Sequence, residues 1–78
     1  MMNINFLDIV KWLNPIGDKE CQDIMVVEDV DGNILTVRHL SNNATNIITQ
    51  VMRNNIRIVG HCSSVEPIKN IINRYIYV

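Results

Sequence analysis

Long apolar runs, aromatic residues and glycine are scarce in this chain of 78 residues, and each scarcity excludes a class of protein. The longest apolar runs are about four residues, whereas a membrane-spanning helix needs about 20. Three glycines leave no glycine-rich loop for a phosphate. The amino terminus lacks a basic segment followed by a small-residue cleavage site, as a secretory signal would have. We therefore expect a cytoplasmic protein without a membrane span.

An excess of positive charge is also missing. The net charge is −1, and the seven Lys and Arg residues are scattered along the chain. Arg53 and Arg57 are close enough in sequence to form a small basic spot, but solvated charges at the ends of elements explain them as well. Aromatic residues make up only 5% of the chain, too few for a base-stacking surface. This balance argues against a nucleic-acid partner.

Cysteine is limited to Cys21 and Cys62, which we expect to be reduced thiols in a cytosolic protein. With His39 and His61 they make four potential zinc ligands. Neither cysteine has a second one at the C-x2-C spacing of structural zinc sites. We therefore predict no metal and no cofactor.

The segment from Gly60 to Ser64 resembles in shape a nucleophile elbow with cysteine in place of serine. A helix beginning just after Cys62 would lower the pKa of its thiol, and His39 or His61 would be the base. A chain of 78 residues is too short for the large sheet of an elbow hydrolase. An anion at the same turn would be repelled by Glu66. We therefore interpret Cys62 as a small core residue.

The chain is organised around residues 55–67. A buried strand is predicted at 56–61, its β-branched run is interrupted at Gly60, and a turn then leads into a helix. The helix carries an apolar stripe with the 3.6-residue period: Ile68, Ile71, Ile72 and Tyr75.

Two further helices are predicted at residues 3–13 and 43–54, each from an apolar stripe. The first stripe consists of Phe6, Ile9, Val10 and Leu13. The second consists of Ala44, Ile47, Ile48, Val51 and Met52. Trp12 lies at the border of the first stripe, where it either packs over the rim of the core or contacts a partner.

Residues 22–40 are predicted to form a β-hairpin, because Asp31-Gly32 lies between two segments suited to strands. A two-residue loop would pair Val30 with Asn33. A three-residue loop, with Gly32 left-handed, would pair Asp29 with Asn33. We prefer it because it gathers apolar side chains on one face: Met25, Val27, Leu35 and Val37. It also places Asp23 opposite His39. The other face then carries a second apolar set: Ile24, Val26, Ile34 and Leu40.

These elements predict a single α+β domain over residues 1–78, in the order α-β-β-α-β-α. The hairpin and the strand 56–61 would form a three-stranded mixed sheet, in which a right-handed crossover makes one pair of strands parallel. A sheet that is apolar on both faces needs cover on both, and the first helix is too short to cover one face alone.

The uncovered face predicts a non-enzymatic protein-binding module that binds a protein partner or itself as a homo-oligomer. We expect its contact residues to be Trp12, Ile24, Val26, Ile34 and Leu40, and Val26→Lys to abolish association without unfolding. An accessory protein of phage or mobile-element type fits the small size and the richness in Ile and Asn. The alternative is a small enzyme or metal site built on Cys62, His61 and His39.

Overall fold

The computed structural model describes residues 3–40, 47–62 and 68–78, and its main feature is one five-stranded antiparallel sheet. The elements in chain order are β1 (Asp8–Trp12), α1 (Gly17–Cys21), β2 (Met25–Asp31), β3 (Ile34–His39), β4 (Ile48–Met52), a 3-10 turn (Arg53–Asn55), β5 (Ile56–His61) and α2 (Ile68–Tyr75). The predicted α+β fold with a three-stranded mixed sheet is wrong. The strand order is β4-β3-β2-β1-β5, every strand pair is antiparallel, and the described residues contain only two short α-helices.

The sheet is strongly curled, because its two edge strands are joined by the 3-10 turn alone. Four strand spacings of about 4.8 Å would separate the edges of a flat sheet by roughly 19 Å. The chain from Met52 to Ile56 can span at most roughly 14 Å. The turn is anchored on both sides, since Arg53 N–H donates to the Asn33 carbonyl (2.8 Å) and Leu13 N–H donates to the Asn55 carbonyl (2.9 Å). Both edges therefore meet at this corner.

The concave inside of the curl holds the inner core, to which every strand contributes. Its buried members are Val10, Met25, Val27, Leu35, Val37, Val51 and Ile56. This core confirms that Met25, Val27, Leu35 and Val37 share one face of the hairpin. Burial of these aliphatic side chains is the main driving force for the curl.

The convex outside of the sheet carries an outer core, which α2 covers over β1, β2 and β5. Its buried members are Ile9, Ile24, Val26, Leu40, Cys62 and Ile71. The predicted helix at 68–75 is confirmed, and its residues Ile71, Ile72 and Tyr75 pack into this cluster. The predicted uncovered face of the hairpin is thus covered over β2, by the last helix and not by the first.

The helix predicted at 3–13 is wrong, because Asp8–Trp12 is strand β1. Adjacent residues Ile9 and Val10 are both fully buried, one in the outer core and the other in the inner core. Phe6 and Leu13, which completed the helical stripe, are exposed. When both faces of a strand are covered, its apolar and polar residues no longer alternate along the sequence. Its apolar residues can then match a helical spacing by chance.

The helix predicted at 43–54 is also wrong within the described residues, because Ile48–Met52 is strand β4. Of its apolar stripe Val51 alone is buried, whereas Ile47, Ile48 and Met52 are exposed, and Ala44 lies outside the described residues. Ile48, Thr49 and Val51 are β-branched, and β-branched residues favour a strand over a helix.

The predicted hairpin is confirmed, but neither considered register is correct. Asp31 pairs with Ile34, and a bulge between Val27 and Asp29 shifts the ladder so that Met25 pairs with His39. The predicted strand 56–61 is confirmed as β5. It lies at the sheet edge and pairs antiparallel with β1, so the predicted central position and parallel crossover are wrong.

Candidate functional site

Strand β4 forms one edge of the sheet, and within the described ranges it pairs with β3 alone. Two bonds fix which of its main-chain groups face β3. His39 N–H donates to the Ile47 carbonyl (2.9 Å), and Arg53 N–H donates to the Asn33 carbonyl (2.8 Å). Hydrogen-bonded pairs alternate along an antiparallel ladder, so the odd-numbered residues of this segment bond to β3. The N–H and C=O groups of the even-numbered residues therefore point away from β3: Ile48, Gln50 and Met52. The Met52 carbonyl is bonded within the 3-10 turn, which Met52 caps.

Three exposed apolar side chains lie beside these outward groups and form what we call the edge patch: Ile34, Ile48 and Met52. Their exposed fractions are 42%, 49% and 47%. Ile34 pairs with Met52, and Ile48 pairs with Arg38, whose other neighbour is Val26 of the outer core. The edge patch therefore lies on the same convex face as α2, but over strands β3 and β4.

No charged residue occurs between Ile47 and Met52. The charged side chains nearest to the edge patch on β2 and β3 are Glu28 and Arg38, which form an ion pair. Arg38 donates from Nε and Nη2 to the Glu28 carboxylate. This pair raises the pKa of Arg38. Natural edge strands are commonly protected by lysine, proline or a bulge. β4 contains no lysine and no proline, and its ladder with β3 runs without a register shift. Among residues 3–40, 47–62 and 68–78, no further strand pairs with this edge.

The five residues predicted to bind a partner have different environments in the structure. Ile24, Val26 and Leu40 are buried in the outer core with Ile71 of α2, so a partner cannot reach them while α2 is docked. The expectation that this hairpin face is exposed is corrected for these three residues. Ile34 is exposed and belongs to the edge patch.

Trp12, the fifth predicted contact residue, is half-buried and belongs to a chain of polar side chains at one end of the inner core. Its Nε1–H donates to Asp23 Oδ2 (2.9 Å). Asp23 also lies 2.9 Å from His39 Nδ1, and His39 Nε2 lies 2.7 Å from Thr49 Oγ1. Asp23 and His39 are buried. The network thus ties β1 to β4 and satisfies polar groups at the end of the core.

The residues proposed for an enzyme or metal site are not assembled in one place. His61 Nδ1 lies 2.8 Å from Asp8 Oδ1, whereas His39 belongs to the network at Asp23. Cys62 is buried in the outer core. In the part of the chain that the structure describes, no three His, Cys, Asp or Glu side chains converge on a point that could hold a metal. The turn residues 63–67, considered for anion binding, lie outside the described ranges.

Lys11 is a buried cation that holds the carboxyl end of α2. Its Nζ donates to the carbonyls of Tyr75 (3.4 Å), Ile76 (3.1 Å) and Val78 (3.2 Å). Burial lowers the pKa of Lys11, the nearby Arg57 lowers it further, and Cys21 acts in the opposite direction. A cation at a helix C-terminus complements the helix dipole, so Lys11 has a structural role here.

Arg53 and Arg57, for which a small basic spot was one of two interpretations, line the same cleft of about 340 Å³. Most of its other lining is apolar: Ile4, Leu13, Ile56 and Ile58, with Asn54. Arg57 also donates from Nη2 to the Val78 carbonyl (2.8 Å). The two arginines are therefore neighbours, but they do not form an extended basic surface.

The residues that the sequence analysis missed are Ile48, Gln50 and Met52, because they were placed in a helix. The signal that identifies them is a β-branched segment without charge, ITQVM, directly followed by a turn. No protein family matches this chain, and neither a curated protein nor a solved structure shows significant similarity to it. Across the described ranges, no helix has the length and apolar character to cross a membrane.

Proposed function

We propose that the protein is a small non-enzymatic protein-binding module that receives an extended strand of its partner along the edge of β4. The observation that carries the proposal is the row of outward main-chain groups at Ile48, Gln50 and Met52. A strand laid on such an edge gains main-chain hydrogen bonds, and pockets between alternate side chains select it. The edge patch supplies the apolar contacts on the convex face. Its setting in our proposal is the cytoplasm, as an accessory protein of phage or mobile-element type.

The charges of the chain support a protein partner over a nucleic acid. The net charge is −1, and the edge patch carries no cation. Binding to a phosphate backbone depends on clustered Lys and Arg side chains. An uncharged edge with exposed aliphatic side chains favours another polypeptide.

The experiment compares two substitutions at Gln50, whose N–H points away from β3. Gln50→Pro removes that N–H and leaves the bonds of β4 to β3 in place, whereas Gln50→Ala keeps it. We expect partners captured from a lysate of the producing cells, or self-association by light scattering, to be lost with proline and kept with alanine. Identical behaviour of wild type and both variants in both measurements would contradict the proposal.

A second candidate function is favoured by one observation, the order hydroxyl, imidazole, carboxylate in Thr49, His39 and Asp23. In a nucleophilic hydrolase the hydroxyl attacks the acyl carbon of an ester while the imidazole takes its proton, and the alcohol leaves with that proton as the ester C–O bond breaks. Water, deprotonated by the same imidazole, then hydrolyses the acyl-enzyme and restores the hydroxyl. The same carboxylate also accepts the Trp12 indole N–H, which supports the structural role instead. Hydrolysis of an activated ester that is lost in Thr49→Val and kept in Thr36→Val would establish the enzyme.

A further inference from the structure

Resting on the proposed function, we infer that the strand received by β4 is β4 of a second copy of this chain. The two strands run antiparallel about a two-fold axis at Gln50. The result is one continuous sheet that crosses from one protomer to the other.

The direction of the main-chain groups allows this register. Among the described residues of β4, the groups that point away from β3 and take no part in the 3-10 turn are the N–H and C=O of Ile48 and Gln50 and the N–H of Met52. When Gln50 faces Gln50 of the partner subunit, Ile48 faces the partner's Met52. The N–H of each Gln50 then donates to the Gln50 carbonyl of the other protomer, so that the pair on the two-fold axis has both of its hydrogen bonds.

The order of side-chain types along the convex face of β4 is the same in both directions, as a two-fold interface requires. On the convex face the order is apolar, polar, apolar, so Ile48 meets the partner's Met52 and amide meets amide. No charge meets a like charge, because residues 47–52 are uncharged. The other edge strand, β5, lacks this property, since it carries Arg57 and His61 and its Arg57 side chain is bonded to Val78.

Three pairs of residues make a small interface, below the roughly 1,200 Å² that stable complexes bury. We therefore expect a dimer with a dissociation constant in the micromolar range. Measurements of mass should span concentrations on both sides of that range.

Disulfide trapping tests the register directly. In a Cys21→Ser background, which removes the exposed native thiol, Gln50→Cys should form an intermolecular disulfide under mild oxidation. The Cα atoms of a hydrogen-bonded antiparallel pair lie about 5.5 Å apart, within the range that a disulfide spans. Thr36→Cys is the matched control, because Thr36 is the neighbour of Gln50 on β3 and faces the same side. Its two copies would lie three strand spacings apart and should not cross-link.

Light scattering of the wild type should show a mass that rises from monomer to dimer with concentration. Gln50→Pro should weaken the dimer roughly tenfold or more, since two main-chain bonds are lost by symmetry, and Gln50→Ala should not. A dimer that ignores Gln50→Pro, or equal cross-linking of both cysteine variants, would overturn the inference. A wild type that stays monomeric would overturn it too. In that last case, a lysate partner lost only with Gln50→Pro would leave the proposed function intact.

Discussion

The ring of Tyr75 lies directly on Gly60, where α2 crosses strand β5. A β-carbon at position 60 would lie 2.6 Å from Tyr75 Cε1 and closer still to Cζ and Oη. Gly60 is in the extended strand, and its φ is not among the positive values found at Gly17 and Gly32. The absence of a side chain, and not a special backbone conformation, is therefore what this position needs.

We predict that Gly60→Ala destabilises the protein by about 1–3 kcal/mol, because the added methyl group forces α2 away from the outer core. For a domain of this size, each kcal/mol lowers Tm by roughly 4–8 °C. Thermal unfolding of the two proteins measures the difference. A double-mutant cycle with Tyr75→Ala isolates the cause, because Gly60→Ala should cost much less once the ring is absent. An equal cost in both backgrounds would show that Tyr75 is not the reason.

The second prediction concerns the carboxylate of Asp23, which accepts from Trp12 Nε1 and lies within bonding distance of His39 Nδ1. Asp23→Ala leaves two ring nitrogens without this partner, at a cost of about 1–3 kcal/mol for each buried donor. Urea unfolding should show the loss as a lower midpoint. Asp29→Ala is the control, because Asp29 is an exposed carboxylate on strand β2, six residues after Asp23. Equal midpoints for the two variants would mean that the network adds nothing to stability.

The third prediction follows from the lowered pKa of Lys11. Burial lowers this pKa first and Arg57 lowers it further, below the ordinary value of 10.5 that the unfolded chain keeps. The folded state therefore binds fewer protons than the unfolded state in the window between the lowered pKa and 10.5. The free energy of unfolding of the wild type should rise with pH in that window, relative to Lys11→Met.

Both proteins should carry Cys21→Ser, because Cys21 also contributes to the pKa of Lys11. Urea unfolding at a series of pH values gives the difference in free energy of unfolding between them. A difference that is constant or falls with rising pH would contradict the assignment of Lys11 as a buried cation at the end of α2.

The hairpin, strand β5 and helix α2 could be predicted from sequence because their signals are local. Asp31-Gly32 marks a turn, Ile56, Ile58 and Val59 are β-branched residues suited to a strand, and the stripe ending at Tyr75 continues for two turns. Strand β1 could not be predicted in this way. Its adjacent residues Ile9 and Val10 are buried in different cores, because distant parts of the chain cover the two faces of the strand.

The candidate site was predicted only in part, for the same reason. Ile34 was identified as an exposed apolar residue of the hairpin, whereas Ile48 and Met52 were assigned to a helix. Ile24, Val26 and Leu40 were expected to be exposed because no helix was available to cover them. The sheet order brings α2 over β2 through pairing of β5 with β1, and pairing between residues so distant in sequence leaves no local pattern.

The fourth prediction is that the protein folds without a metal. Neither cysteine has a partner at the C-x2-C spacing, and no three potential ligands converge among the residues that the structure describes. Adding EDTA should therefore leave Tm unchanged. A fall of many degrees that zinc reverses would show a metal-dependent fold.

The last prediction separates the covered part of the convex face from the edge patch. Val26 is buried under α2, so Val26→Lys places a charge without a partner in the outer core. We expect it to cost about 3–5 kcal/mol, a large part of the roughly 4–12 kcal/mol that a chain of this length has in total. This reverses the expectation from sequence that Val26→Lys leaves the fold intact. Ile48→Lys introduces the same charge on the same face, at a side chain that is 49% exposed.

Ile48→Lys should change stability by less than about 0.5 kcal/mol, as surface substitutions usually do. It should still weaken association, because lysine on an edge strand opposes pairing with another strand. Urea unfolding measures the stability of each variant, and light scattering measures its association. If Val26→Lys stayed folded and lost association while Ile48→Lys kept it, the interface would lie under α2 and not at β4. The C-terminal helix would then have to leave the sheet for a partner to bind.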